Sequence, residues 1–334
     1  MPPSPHAPPS AYAAPLSRRL DLLAAGASVP EQLPCYVRAA GGSEALPCPG
    51  EESFVFYLSG ESAVLVAYPP FIPAADILET DVPENDPEGD SPREFPENTE
   101  DFRARLEHAL TALPTKTREL TLLSPCPVEI LPLPSGLQAT PEGEFSPIAK
   151  DWYWTLPLPC VPPSDKVRNM LHRATREVDI REEAWGPEAA SLAASYCRTR
   201  KLEEGTSFIY SRIGDYLAAC PEARLFTARS RASGFLAACA VGDYTALGMA
   251  FYMFAFRRPD APPGCADALL AALLKEGAQR GHSVMNLGLG IRPGIEFFKK
   301  KWRARRGLPY YERTWSIAPV RPARHGLLAR LLGA

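Results

Sequence analysis

Histidine is scarce in this chain, 5 residues in 334, and the five are scattered with no metal-ligand spacing. The eight cysteines include no Cys-x-x-Cys pair. Those two absences exclude a zinc-ribbon module and a thioredoxin-like redox centre, and no metal site is expected. Net charge is only −3, so the chain as a whole makes no case for free DNA binding. Met1–Pro15 lacks a basic region followed by an apolar core, so it does not read as a signal peptide. Cys197, Cys220 and Cys239 sit among alanines and leucines and read as small buried hydrophobes. A reduced, cytoplasmic compartment is the expectation that follows.

Proline is the residue in excess, and unevenly so. Of 37 prolines, 28 fall in residues 1–163, about 17% of that stretch, against about 5% in 164–334, the usual level. Interior proline costs a helix about 3 kcal/mol, so the first half is not expected to hold long helices. With 46% apolar and 22% charged residues the chain is nonetheless an ordinary folding sequence. Its length favours two cores of about 150 residues each.

Local patterns fill in the elements. Residues 1–15 are low in complexity and expected to be loose, with one short helix over Ser17–Ala25. Ser53–Tyr57 and Ala63–Tyr68 flank Ser59-Gly60-Glu61 as a hairpin would. Residues 71–98 read as an acidic, proline-rich loop. Thr99–Leu113 carries an apolar stripe at helical spacing. Strands are expected near Glu119–Leu123, Val128–Leu131 and Trp152–Leu158. In the second half Ser164 caps a basic helix to Glu177, and helices follow at Gly186–Arg198 and Ile213–Ala219. A strand is expected at Leu225–Arg229. Gly234–Phe256 runs 23 residues without Lys or Arg, long enough for a membrane span. Gly242-Asp243 in its middle instead suggests the turn of a buried hairpin, Phe235–Val241 with Tyr244–Phe256. A helix over Cys265–Arg280, a strand at Ser283–Leu287, a helix at Ile295–Trp302 and a strand at Tyr310–Ile317 complete the order. The class is α/β (α+β) without an alternating βαβ ladder.

Charge is distributed in opposed blocks. Asp76–Glu107 holds twelve acids and three bases, a net of −9, and Arg292–Arg330 holds eleven bases and two acids, a net of +9. Such blocks are first of all solvated faces. The basic one also offers a contact for nucleic acid or for anionic lipid headgroups, the latter helped by the tail leucines 327, 328, 331 and 332.

Four pieces in order carry a family resemblance: the helix Lys166-Val167-Arg168-Asn169-Met170-Leu171-His172-Arg173-Ala174; the hairpin with Phe251-Tyr252; the helix from Gly264 to Gly281 with the strand Val284-Met285-Asn286-Leu287-Gly288; and Gly294-Ile295-Glu296-Phe297-Phe298-Lys299-Lys300-Lys301-Trp302. Together they resemble the second lobe of the FemAB-like acyltransferases of the GNAT superfamily, and also the soluble domain of phosphatidylglycerol lysyltransferases. The resemblance covers about residues 151–317. It implies a mixed, mostly antiparallel sheet flanked by helices in two tandem lobes. The divisions are a loose N-terminus at 1–29, a diverged first lobe at 30–150, a second lobe at 151–320 and a basic tail at 321–334.

What the resemblance implies chemically is transfer of an acyl or aminoacyl group from an activated donor, acyl-CoA or aminoacyl-tRNA, to an amine or hydroxyl of a small molecule or peptide. Lys299 of the Phe298-Lys299 step would contact the donor and support developing charge. Tyr252 and Tyr311, with Tyr310 beside it, are candidate acids for the leaving group, and Glu296 is a candidate base. The donor-binding residues by this reading are Arg258, Gly264, Ala266, Asn286, Gly288 and Phe298. One departure stands out: the phosphate-binding turn at a helix start is here Ala261-Pro262-Pro263-Gly264-Cys265-Ala266, without its basic first residue and with proline in place of N–H donors. The competing expectation is a catalytically inactive binding module that recognises an acylated or anionic partner.

Overall fold

A computed structural model of the chain describes residues 15–41, 43–71, 99–127, 149–200, 202 and 204–316. The expected strand at Val128–Leu131, most of the acidic stretch and the basic tail lie outside the described residues. The first half opens with α1 (Leu16–Ala25), a short 3-10 turn (Pro30–Gln32) and α2 (Pro34–Gly41). Strands β1 (Glu44–Pro47), β2 (Phe54–Ser59) and β3 (Ser62–Ala67) follow as an antiparallel meander. Gly60, at φ 59°, makes the two-residue turn of the β2–β3 hairpin, where a side chain would be strained. Then come α3 (Thr99–Leu110) and β4 (Glu119–Ser124), and β4 lies parallel to β3.

The second half begins with β5 (Ala149–Pro157), α4 (Asp165–Glu177) and β6 (Val178–Glu183). Ser164 caps α4 as its position suggests, its hydroxyl accepting from Val167 N at 3.3 Å. Three helices, α5 (Pro187–Arg200), α6 (Glu204–Ser211) and α7 (Ile213–Ala219), lead to strands β7 (Ala223–Ser230), β8 (Leu236–Asp243) and β9 (Met249–Arg257). Helix α8 (Cys265–Gln279) crosses to β10 (Val284–Leu289), parallel to β9, and α9 (Pro293–Lys301) leads to β11 (Arg305–Ser316).

All eleven described strands form one sheet, in the order β1-β2-β3-β4-β11-β5-β10-β9-β8-β7-β6. Only β3–β4 and β9–β10 are parallel, and each pair is joined through a helix lying on the same face of the sheet. The two central strands are exchanged. Strand β5, which follows β4 in the chain, pairs with β10, and β11, which follows β10, pairs back on β4. They meet each other antiparallel in the middle.

Period-two alternation divides the apolar residues between the faces. Val55, Tyr57, Val64, Val66, Leu123, Tyr153, Phe251 and Tyr310 join Tyr36, Ile209, Ile213 and Tyr216 of the helices in one core that runs under both halves. On the opposite face the core is split. Phe54, Phe56 and Leu65 pack with Phe102 and Leu106 of α3, and Trp154, Leu156, Ala250 and Met285 pack with Val167 of α4 and Leu269, Leu270 and Leu273 of α8. The central strands divide between them, β5 contributing Trp154 and Leu156 to the second packet and β11 contributing Trp315 to the first.

Two expectations are corrected here. Gly242-Asp243 is not the hairpin turn. Gly242 remains paired with Tyr252, and a side chain on it would meet Leu273 Cδ2 at 2.4 Å. The turn lies at 244–248, and Asp243 holds it by accepting from Thr245 N at 2.8 Å and from the Tyr216 hydroxyl. The apolar run is thus two buried strands, and no helix among the described residues is long and apolar enough to cross a membrane. Cys220, expected as a free buried thiol, is bonded to Cys35, which joins α7 to α2 across the two halves.

Candidate active site

Strand pairing places the site. β9 and β10 hold register from Met249↔Val284 to Phe251↔Asn286 and then part, although β9 continues to Arg257 and β10 to Leu289. Against β8 the register of β9 shifts after Tyr252, with Gly242 opposite Tyr252 and Val241 opposite Phe254, so Met253 is an extra residue. A bulge on one side and divergence on the other open a wedge whose rim is the C-terminal end of β10.

That rim is held by charge. Lys299 is 3% exposed, and its ammonium donates to Gly288 O at 2.6 Å and Leu289 O at 2.7 Å. Burial pulls its pKa down to about 7, with Asp151 and Glu296 pulling back up. From the other side Asp151 accepts: its Oδ1 from Trp152 N at 2.7 Å and Gly290 N at 3.1 Å, its Oδ2 from Ile291 N at 2.9 Å. Between these two clamps the backbone is strained. Ile291 has φ 51°, unusual for a β-branched residue, and Arg292 N returns to Gly290 O at 2.5 Å in a γ-turn around it. Such a conformation persists only where the surroundings fix it.

Helix α9 is anchored from below. Trp302, 1% exposed, donates its indole N–H to Asp267 of α8 at 2.8 Å, and Lys301 Nζ reaches the same Asp267 oxygen at 2.5 Å. Phe298 packs on that core with Lys301 Nζ 5.0 Å from its ring centre. Of the three successive lysines, then, Lys299 faces the strand end, Lys301 faces α8, and Lys300 is exposed over the Trp154 ring at 6.0 Å.

The other expected site residues are distributed as follows. Tyr252 is the first residue past the last β9–β10 pair, on the α8 face, and burial raises its hydroxyl pKa. Tyr311 is half-buried at the seam, opposite Ser124 and Lys150. Tyr310 points the other way, into the shared core, and donates to Glu312 at 2.8 Å. Asn286 is fully buried on that same opposite face. Its amide donates to Ser28 O at 3.0 Å and its carbonyl accepts from Gly288 N at 2.8 Å, which ties the wedge to the N-terminal segment. Gly288 has φ 74°. Gly264 caps α8 in a left-handed conformation, and a Cβ there would lie 2.4 Å from Met170 O, so α4 packs directly on the start of α8. Ala266 lies in the first turn of α8. Arg258 is engaged with Asp260 at 2.9 and 3.1 Å and lies 5.1 Å from the Phe235 ring centre. No group of metal-ligating side chains occurs among the described residues.

Asp151 and Trp154 are residues of this site that the sequence reading does not single out. Both belong to β5, whose partner loop lies some 140 positions further on, and nothing local in Asp151-Trp152-Tyr153-Trp154 signals that contact.

No protein-family model and no curated protein sequence matches the chain. Solved structures do match in fold. The C-terminal domain (DUF2156) of an Agrobacterium fabrum protein named as a lysylphosphatidylglycerol synthetase is 14% identical with a TM-score of 0.52, over 94% of this chain and 93% of that one. L-PGS from Bacillus licheniformis is 14% identical at 0.51, over 90% and 92%. FemX is 9% identical at 0.54, over 92% and 97%. The chain therefore shares its overall fold with these three structures, FemX among them.

Proposed function

We propose that the chain is an acyltransferase that moves an acyl or aminoacyl group from an activated donor to a hydroxyl or amine. The observation that carries this reading is the buried Lys299 ammonium at the open end of the β9–β10 wedge. Two of its protons are spent on Gly288 and Leu289, and the third is available to an oxyanion forming at the rim. Tyr252 and Tyr311, both on the α8 face, are the acids proposed for the leaving group. The lysylphosphatidylglycerol synthetase and FemX folds support transfer chemistry in general terms. In this reading β3-α3-β4 and β9-α8-β10 are diverged repeats of one lobe, 30–150 and 151–320, of which the second is catalytic.

Acyl-CoA is the first donor to test and aminoacyl-tRNA the second. A CoA donor would meet Gly264 and Ala266 at the start of α8, Asn286, Gly288 and Phe298 at the rim, and Arg258 once released from Asp260. The exposed Arg292, Lys300, Arg303 and Arg305 would meet the phosphates of tRNA or of a lipid headgroup. The alternative, an inactive module that binds an acylated or anionic partner, is favoured by one observation: the Met170 carbonyl closes on Gly264 where a phosphate would approach. A cytoplasmic setting belongs to the transferase reading because both donors are held there. Thiol counting on the purified chain tests that setting against the Cys35–Cys220 bond.

The experiment is thermal shift and mass spectrometry of the purified chain with acetyl-CoA, longer acyl-CoAs and aminoacyl-tRNA. Stabilisation by a donor and acyl transfer that falls about 10²–10³-fold in Lys299→Ala are expected, corresponding to about 3–4 kcal/mol of barrier. Absence of both with every donor would leave the binding-module reading in place.

A further inference from the structure

The Cys35–Cys220 bond joins two short helices, α2 of eight residues and α7 of seven. Helices of that length do not hold themselves in water, so their neighbours must hold them. The two ends of the bond differ. Cys220 is 1% exposed, whereas Cys35 is half-buried, so a thiolate approaches the bond from the Cys35 end. The other six cysteines are free thiols. A disulfide open to solvent on one side is the labile kind, and in a reducing compartment such bonds are characteristically transient or redox-sensing.

The bond lies one residue away from the packing that fixes the open half of β9. Tyr36, next to Cys35 and 3% exposed, places its ring centre 5.2 Å from that of Tyr216 and 6.0 Å from that of Phe254. Tyr216 and Phe254 are themselves 6.2 Å apart, which completes a triangle of edge-to-face rings. Phe254 is the first β9 residue paired with β8 beyond the extra residue Met253, opposite Val241. It therefore anchors the strand just past the point where β9 leaves β10.

The other end of the bond reaches the same place. Cys220 lies one helical turn beyond Tyr216, and its N–H donates to Tyr216 O at 2.9 Å. The Tyr216 hydroxyl donates to Asp243, which also accepts from Thr245 N at 2.8 Å and so holds the turn that leads into β9. The disulfide thus binds together the two helices whose tyrosines grip Phe254. Among the described residues no ring contact joins Tyr36 or Tyr216 to the β3–β4 pair.

We propose that Cys35–Cys220 is a redox switch for the wedge: the oxidised chain holds β9 beyond Tyr252 in its open geometry, and the reduced chain releases it. The reductant is a dithiol. One of its thiolates bonds Cys35 Sγ, and the electron pair of the Cys35–Cys220 bond leaves on Cys220 Sγ. The second sulfur of the dithiol then bonds the first, and Cys35 Sγ leaves with the pair of the mixed bond. Two electrons and two protons pass from the dithiol to the chain, giving a cyclic disulfide and two cysteine thiols. A disulfide oxidant reverses the exchange. Once the bond is open, α2 keeps only its apolar contacts, and its Tyr36 ring leaves the triangle with it. The switch acts on the shape of the wedge and does not depend on which chemistry the wedge performs.

The test is hydrogen exchange of the full chain, purified without reductant and read by mass spectrometry before and after dithiothreitol. Thiol counting should give six thiols before treatment and eight after it, without denaturant. Reduction is expected to speed exchange about tenfold or more in 34–41 and 253–257, and less than about twofold in 62–67 and 119–124. Oxidised glutathione should restore the slow rates. Cys35→Ser should exchange like the reduced protein and ignore dithiothreitol; should that variant not fold, reduction of the unaltered chain decides alone. Tyr36→Leu keeps the bond and removes the ring, so it should speed 253–257 and leave 34–41 slow. Eight thiols in the native chain, or a bond that dithiothreitol opens only in denaturant, overturns the switch. So does a reduced protein in which 253–257 stays slow, or one that accelerates evenly across the sheet, as loss of a purely stabilising staple would. If exchange switches and no donor supports transfer, the switch stands and the transferase reading fails. If transfer occurs and exchange in 253–257 ignores the bond, the transferase reading stands and the switch fails.

Discussion

The two parallel strand pairs of this sheet have the same connection and different outcomes. In the first half β3 and β4 stay in register from Ser62↔Glu119 to Val66↔Leu123, essentially their whole length. In the second half β9 and β10 part after Phe251↔Asn286, with six more residues of β9 and three of β10 still to come. The closed pair is mostly apolar: Ala63, Val64, Leu65 and Val66 face Leu120, Thr121, Leu122 and Leu123, and all eight are buried. The open pair carries an extra residue in β9, a left-handed Gly288 in β10, and charge on both sides of the strand end. A parallel pair closes by default, and here the second one is kept apart by a bulge, a glycine and two side-chain clamps.

The largest effect that would probe this contrast is loss of the covalent link between the halves. Cys35→Ser should destabilise the chain by roughly 4–5 kcal/mol, the range for a bond closing a loop well over a hundred residues long. Thermal unfolding should then split, with protease cleavage of α2 preceding loss of the β9–β10 half. A single unshifted transition would show that the seam holds without the bond.

A second prediction separates stability from chemistry at the open pair. Lys299 titrates near pH 7 in the fold against about 10.4 unfolded. Between those values the unfolded chain binds the extra proton, so stability should rise with pH, by up to about 1.4 kcal/mol per unit. Activity that needs the ammonium should fall over the same range. Lys299→Met should abolish the rise in chemical-denaturation midpoints. Asp151→Asn removes a charge that raises the Lys299 pKa, so both curves should move to lower pH. Curves that stay in place would remove Asp151 from the electrostatics of the rim and leave it a purely steric clamp.

The smallest effect compares the glycines of the two halves. Gly60 at φ 59° and Gly288 at φ 74° both have open space where a Cβ would stand. Alanine should therefore cost each about 1–2 kcal/mol of stability from conformation alone. Gly60→Ala should leave donor binding unchanged, and Gly288→Ala should weaken it. Equal donor affinity for both variants would place the rim outside the site.

Much of the architecture can be read from local pattern. The β2–β3 hairpin, α3, α4 with its Ser164 cap, α7, α8 and β10 all follow from periodicity and caps, because their signals lie within a dozen residues. Elements whose stability comes from distant partners are not legible in this way. α2 holds its place through Cys35 and the Tyr36–Tyr216 ring pair, with ring centres 5.2 Å apart. β6, with its charged Val178–Glu183 sequence, is fixed at the sheet edge by β7 and by the Arg229–Glu183 pair at 2.7 Å. The same division holds in the site. Lys299 announces itself by its Phe-Phe-Lys-Lys-Lys context, yet that run does not say which lysine turns inward; Trp302 and Asp267 decide it. Asp151 and Trp154 were invisible because their importance is created by the exchange of β5 into the other half's strand order.

That exchange also governs how the chain can be made. The open edge of β4 waits for β11, whose first residue to pair with it, Tyr311, is synthesised after Ser124 by nearly two hundred residues. At ordinary ribosomal rates the delay is roughly 10–40 s, long enough for an unpaired edge to find another nascent chain. The first half therefore leaves the ribosome as an incomplete sheet, and β11 can take its place between β4 and β5 only late in synthesis.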